Sequence, residues 1–248
     1  MVDWRETFSA GAAALGVPLD AGALDRFSSY LDALLEWNPR VNLTRITDPE
    51  QIAVKHFVDS LTCLRAAEFG PSARLADVGS GAGLPGVALA IARPDLRVTL
   101  IESSRRRCDF LRHIIRALGL DRVEVACLRA EDAGRQDYYR QSYDLAVSRA
   151  VARLAVLAEY CLPLVRVGGA FLAQKGREAE TEVAKAAPAL EALGGTVEAS
   201  TRFELPGGAG ERKIVVIRKV APTPEAYPRR AGVPGKRPLG VERRIEPR

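Results

Sequence analysis

Residues 75–86 read LADVGSGAGLPG: an apolar run, an aspartate, then four glycines in eight positions. Apolar residues that end in glycine-freed backbone describe a strand turning sharply into a helix. At such a turn, backbone N–H groups come close to a ligand at the strand end, where doubly wound sheets bind nucleotides. The stretch is therefore a small-molecule cradle, and the rest of the chain repeats its strand-helix rhythm.

From Arg74 onward, short apolar runs alternate with helical periodicity. Strands are expected near 74–78, 97–101, 122–126, 143–147 and 169–174, with helices near 85–92, 104–118, 151–165 and 177–192. Right-handed crossovers then give an α/β fold, a parallel sheet with helices on both faces. Two further strands, near 196–203 and 212–219, flank the turn PGGAGE and predict a closing antiparallel hairpin. The sum is a Rossmann-like, seven-stranded, mostly parallel sheet with an antiparallel last strand.

Upstream, Leu24, Phe27, Leu31, Leu34 and Leu35 share one helical face, in a helix expected to stop before Asn38-Pro39. Asp48-Pro49-Glu50-Gln51 announces a second helix through its cap and first-turn proline, with Val54, Phe57, Val58, Leu61 and Leu64 as its stripe. The chain thus divides into three regions: a helical cap at 1–70, the α/β domain at 71–220 and a tail at 221–248.

At 248 residues, 47% hydrophobic and 27% charged, the chain suits one main globular core. No apolar run approaches the roughly 20 residues of a membrane span, and the start MVDWRETFSAG has no secretory pattern, so no membrane partner is expected and the default address is the cytoplasm. Cys63, Cys108, Cys127 and Cys161 lie far apart and only two histidines exist, which discourages a zinc site or disulfides; no metal is expected. The tail holds seven Lys/Arg against three Glu, and six of the fifteen prolines, so it reads as extended and loosely held unless a partner orders it.

Gly81, Gly83 and Gly86 alone would satisfy a dinucleotide fingerprint, which S-adenosylmethionine (SAM) enzymes share. Glu102, ending the run RVTLIE, puts a carboxylate at the tip of the second strand, where it can accept from two ribose hydroxyls. Either cofactor would use it. Asp77 ahead of the loop and the spacing of Gly79, Gly81 and Gly83 separate the two: an acid beside the cradle suits an ammonium and repels a pyrophosphate. SAM is favoured.

The stretch LADVGSGAGLPGVALAIARPDLRVTLIESSRRRCDFLR (75–112) resembles the SAM-binding core of the bacterial small-subunit rRNA guanine-N7 methyltransferases, the RsmG or GidB family. The likeness extends to NLTRI, HFVDSL, RAEDAG, YDLAVSRAVARLAVLAEYCLPLVRVGGAF, QKG, ERKIVVIRK and YPRRAGVPGKRPL, nearly the whole chain. It implies a class I SAM-dependent methyltransferase, yielding S-adenosylhomocysteine, that acts as a monomer on 16S rRNA of the small ribosomal subunit. The implied target is a guanine N7 in the conserved loop near the decoding centre. The resemblance places Gly79 and Leu84 along the cofactor, Ala130 and Glu131 at the adenine, and Arg149 at the completion of the site.

Guanine N7 has a free lone pair, so its methylation needs neither a base nor a cysteine nucleophile. The fourth strand accordingly ends in SRAV, without the Asn/Asp-Pro-Pro-aromatic motif of amino-group methylation. Arg149 is expected to meet the cofactor carboxylate or guanine O6, and Lys175 a phosphate or base edge.

Plainer readings stand beside these. Gly86 serves mainly helix-on-strand packing. His56 and Asp59, three apart on the polar side of a helix, are a surface pair or an RNA-facing cap of the site, and Arg105 to Arg107 are a solvated face or a phosphate contact. In the tail, Arg229, Arg230 and Lys236 are expected to touch RNA backbone. The rivals at the level of function are an NAD-type oxidoreductase on the same sheet and a non-catalytic ribosome-binding factor.

Overall fold

The computed structural model describes residues 3–149, 151–176 and 179–240. The last eight residues of the expected tail and the first two of the helix expected at 177–192 lie outside them.

Two helices, α1 (Trp4–Ala14) and α2 (Ala21–Val41), open the chain, each capped by an aspartate side chain: Asp3 accepts from the Arg5 N–H and Asp20 from the Ala23 N–H. Helix α1 has no counterpart among the expected elements. Helix α2 runs through Pro39 to Val41 instead of stopping before Asn38-Pro39, and ends on Asn42 in the left-handed conformation. In the last turn a proline removes only one helical bond, and the Asn38 side chain restores order by accepting from the Leu43 and Thr44 N–H groups at 2.8 and 2.9 Å.

The helix after Asp48 is broken into α3 (Pro49–Ile52), a π-helical stretch at Ala53–Val58, α4 (Asp59–Leu61) and α5 (Cys63–Ala66). The π stretch adds a residue per turn and rotates the helical segments beyond it. That phase shift corrects the expectation of a polar-side pair, because it carries Asp59 inward to 3% exposure.

Strands β1 (Arg74–Val78), β2 (Arg97–Ile101), β3 (Val123–Ala126), β4 (Tyr143–Arg149), β5 (Val165–Lys175), β6 (Gly195–Glu204) and β7 (Glu211–Lys219) form one sheet in the order β3-β2-β1-β4-β5-β7-β6. The first five are parallel, and β7 is antiparallel to both neighbours. The crossover helices are α6 (Gly86–Ala92), α7 (Arg105–Ala117), the short α8 (Ala130–Ala133), α9 (Leu154–Cys161) and α10 (Ala179–Ala192).

One face of the sheet packs with α6, α7 and the N-terminal helices in a continuous core that includes Phe8, Phe27, Tyr30, Phe57, Leu100 and Leu172. Phe8, Phe27 and Phe57 meet edge-on or tilted at 4.5 to 5.5 Å. The other face is covered by α9 and α10 around Leu157, Leu162, Phe171 and Ile217. The switch between β1 and β4, where the strand order reverses, opens the rim on which the site is built.

The tail through residue 240 is not loosely held. The Arg140 guanidinium donates to the carbonyls of Thr223 and Tyr227 at 2.7 and 2.8 Å, and a short helix α11 (Val233–Lys236) closes the segment. Fixed acceptors compensate for its poverty in apolar residues. Beneath it, fully buried Lys219 donates to the carbonyls of Leu162 and Leu193 and to the Thr223 hydroxyl, and burial lowers its pKa to about 7.

Candidate active site

The glycine turn after β1 has positive φ at Gly79, Gly81 and Gly83, conformations that side chains resist. Beneath it lies Asp77, fully buried. Its Oδ2 accepts from the Gly86 N–H at 2.9 Å while Oδ1 has no partner, and burial pushes its pKa up to about 7. Asp77 thus pins the turn from below and does not line the cavity above. Gly86 has the packing role expected: a Cβ there would stand 2.5 Å from Leu100 and 2.7 Å from Asp77 Oδ2.

Above the turn is a cavity of about 410 Å³ walled by Leu43, Thr44, His56, Gly79, Gly81, Leu84, Glu102, Arg107, Arg149 and Val151. Glu102 sits at the tip of β2 as expected. Its carboxylate accepts from the Ser104 N–H at 2.8 Å and the Gly81 N–H at 3.0 Å, which ties the second strand tip to the glycine turn. Tyr30 supports the turn from the N-terminal helices, its hydroxyl donating to the Ala82 carbonyl at 2.6 Å.

A second cavity of about 670 Å³ adjoins the first, lined by Lys55, Asp59, Arg153, Gln174, Lys175, Glu182 and Arg212, and it shares His56, Arg149 and Val151 with it. Arg149, at the tip of β4, stands at the junction. It donates to Asp59 Oδ2 at 3.2 Å and to the Lys55 carbonyl at 3.3 Å, while Arg212 approaches the other Asp59 oxygen at 3.4 Å. Two guanidiniums on one buried carboxylate leave a surplus positive charge facing the junction. Lys175 donates to the Ala152 carbonyl at 2.6 Å and pairs with Glu182 at 2.8 Å, lining the second cavity.

His56 belongs to the wall and not to an exposed helix face. Its Nδ1 lies 3.0 Å from the Lys55 carbonyl and so carries the proton, while Nε2 accepts from the Thr44 hydroxyl at 2.7 Å. Burial, with Arg149 beside it, lowers its pKa to about 4. The unfolded imidazole takes its proton near pH 6.5 and the folded one only near 4, so this group contributes stability above 6.5 that is lost as pH falls through that window. His56→Asn is expected to flatten the fall of Tm between pH 6.5 and 4; Asp77, whose shift has the opposite sign, is common to both proteins and cancels in the comparison.

Ala130 and Glu131, expected at the adenine, come after β3 on the same rim but are not among the residues walling either cavity; Glu131 is buried and accepts from the Gly232 N–H at 2.8 Å. Arg229, expected on RNA, is instead half-buried in a bidentate pair with the fully buried Glu159, with N···O distances of 2.6 to 3.2 Å. Arg230 and Lys236 remain exposed. Tyr30, Gln174 and Arg212 carry no sequence signal of their own, though Gln174 and Arg212 fall within QKG and ERKIVVIRK. Among the described residues there is no group of three His, Cys, Asp or Glu placed to hold a metal, and no helix is long and apolar enough to cross a membrane.

The fold has neighbours of several chemistries. The mitomycin 7-O-methyltransferase MmcR aligns at a TM-score of 0.54 with 20% identity, over 77% of this chain and 60% of that one. The [4+2]-cyclase SpnF aligns at 0.52 with 17% identity, over 66% of this chain and 81% of that one. Such likeness concerns the fold alone. Sequence relatives are nearer. A ribosomal RNA small subunit methyltransferase G of Pelotomaculum thermopropionicum is 48% identical over 94% of this chain and 98% of its own length. One of a Roseiflexus species is 50% identical over 92% and 97%. A family profile described as rRNA small subunit methyltransferase G matches residues 23–215. The glycine turn, both acids and the Arg149 junction all lie within that span, and the chain belongs to the rRNA small subunit methyltransferase G family.

Proposed function

We propose that the chain transfers a methyl group from SAM to N7 of a guanine in the conserved 16S rRNA loop near the decoding centre of the small ribosomal subunit, as a cytoplasmic monomer. The observation that carries this reading is the pair of adjoining cavities that meet at Arg149, His56 and Val151, one built on the glycine turn and the other lined by cationic side chains.

The residues present suit SAM. The turn presents Gly79 and Gly81 to the cavity without side chains, and Glu102 offers carboxylate acceptors at the second strand tip for the ribose hydroxyls of the ligand. When bound, SAM supplies an electrophilic methyl for an in-line displacement, so alignment and exclusion of water are what the protein must provide.

In this reading Glu102 holds the ribose, Gly79 and Leu84 flank the methionine end, and the turn at Ala130 and Glu131 closes the adenine end. Arg149 aligns the junction through the carboxylate end of the cofactor or guanine O6. Lys175 and Arg212 engage phosphate or base edge in the second cavity, and exposed Arg230 and Lys236 meet backbone further out. The neutral His56 limits the first cavity without offering a proton, consistent with a target nitrogen that needs no base.

Purified protein is incubated with methyl-labelled SAM and small subunits from cells lacking this activity. Label in 16S rRNA that falls steeply as salt rises is the expected result. SAM binding without transfer to any ribosomal substrate would overturn the proposal.

A further inference from the structure

Two buried carboxylates lie beneath the C-terminal segment, and that segment supplies their partners. Glu159 of α9 is 0% exposed and receives the Arg229 backbone N–H at 2.8 Å as well as the Arg229 guanidinium. Glu131 of α8 receives the Gly232 N–H three residues further along. Tyr160, its phenol pushed up to about 12 by burial and by these same two carboxylates, stands beside them.

Helix α8 has four residues and cannot hold itself in place. Its position is imposed from outside. The Arg140 Nη1 donates at 2.8 Å both to the carbonyl of Gly134, which ends α8, and to that of Tyr227 in the tail. Arg135 donates to the Pro228 carbonyl at 2.8 Å. A Cβ on Gly134 would stand 2.8 Å from Pro228, so helix end and tail are in direct contact.

The turn that leads into α8 leaves β3 at Ala126, whose carbonyl accepts from the Glu102 N–H at 3.1 Å. It therefore starts on the rim beside the Glu102 carboxylate, at the strand ends where the cofactor is read to lie. Whatever fixes α8 fixes this edge of the cleft.

We infer that residues 221–240 are a strap that positions α8 and the turn before it, so that Arg229 and Arg140 set SAM affinity without touching SAM. The inference rests on the cofactor reading above. Arg229 and Arg140 are positioning residues, and Glu131 is the point at which their effect enters the site.

The test is a double-mutant cycle in the full-length protein, with the SAM dissociation constant measured by calorimetry and Tm tracked alongside. Arg229→Ala is expected to weaken SAM binding about tenfold, within the range for positions off the site. Glu131→Ala added to Arg229→Ala should cost much less than Glu131→Ala alone, because the strap has already released α8. If Arg229→Ala does not fold, Arg229→Lys keeps the charge but loses the fork, and about a threefold loss of SAM affinity with Tm nearly kept is expected. Wild-type SAM affinity in a folded Arg229 variant, or strictly additive losses in the cycle, would overturn the strap. Wild-type protein that binds no SAM would overturn the cofactor reading instead, so the two failures are distinct.

Discussion

Replacing Arg149 with alanine is expected to lower methyl transfer at least about 100-fold, the scale on which a single charged donor at a reacting centre acts. The residue stands where the two cavities meet and bonds Asp59, whose side chain is 4% exposed, at 3.2 Å. Its removal also leaves Asp59 with Arg212 alone at 3.4 Å, so some loss of stability accompanies the loss of rate. Arg149→Lys separates the two effects, since it restores charge near Asp59 without the planar fork. Single-turnover transfer with saturating SAM, read beside Tm, checks this: a folded Arg149→Lys protein should remain far below wild type. Full turnover in that variant would remove Arg149 from the reaction.

The second large effect belongs to the glycine turn. At Gly83, where φ is +91°, a Cβ would stand 2.7 Å from Val87 and 2.9 Å from the Tyr30 hydroxyl. Gly83→Val places a β-branched residue in a conformation it resists and drives it against the hydroxyl that anchors the turn at Ala82. The expected cost is about 3 kcal/mol, or roughly 6–12 °C in Tm for a chain of this size. SAM binding should be lost with it. Gly70→Ala, where a Cβ meets nothing within 4 Å, is the control and should change neither quantity.

The two positions are legible in the sequence for different reasons. Strand ends and glycine turns are local signals, so periodicity places the turn holding Gly83 and the acid Glu102 that ends RVTLIE, whereas the part of Arg149 in the site comes from the resemblance of its surrounding run to the family. The run of strands and the final hairpin come from the same alternation. The features that escape such a reading depend on phase or on distant partners. The π stretch at Ala53–Val58 has no propensity signature, so the ordinary helical period leaves Asp59 on the wrong side. Helix α2 passes Pro39 because a proline in the last turn forfeits a single helical bond, and the Asn38 side chain then caps the chain that leaves the helix by accepting from the Leu43 and Thr44 N–H groups.

The tail departs from its expected looseness for a different reason. Its prolines and arginines describe a solvated chain only when nothing opposite them is charged and buried. The partner of Arg229 is Glu159, 70 residues away in the middle of an apolar helix, and no local pattern marks that acid as awaiting a cation. A carboxylate in an otherwise apolar run, LAVLAEYC, is the one signal the sequence offers. The N-terminal helices hide a similar partnership: Tyr30 sits on the apolar face of α2, yet its hydroxyl serves the glycine turn 52 residues on.

The assignment of base and atom is read at nucleotide resolution. 16S rRNA from subunits treated with the protein and SAM is cleaved chemically at N7-methylguanosine and the cut sites are mapped. One new cut is expected, in the conserved loop near the decoding centre, absent with Arg149→Ala. Methyl label on an exocyclic amine, a ribose or a pyrimidine carbon, with no cut at guanine, would contradict it.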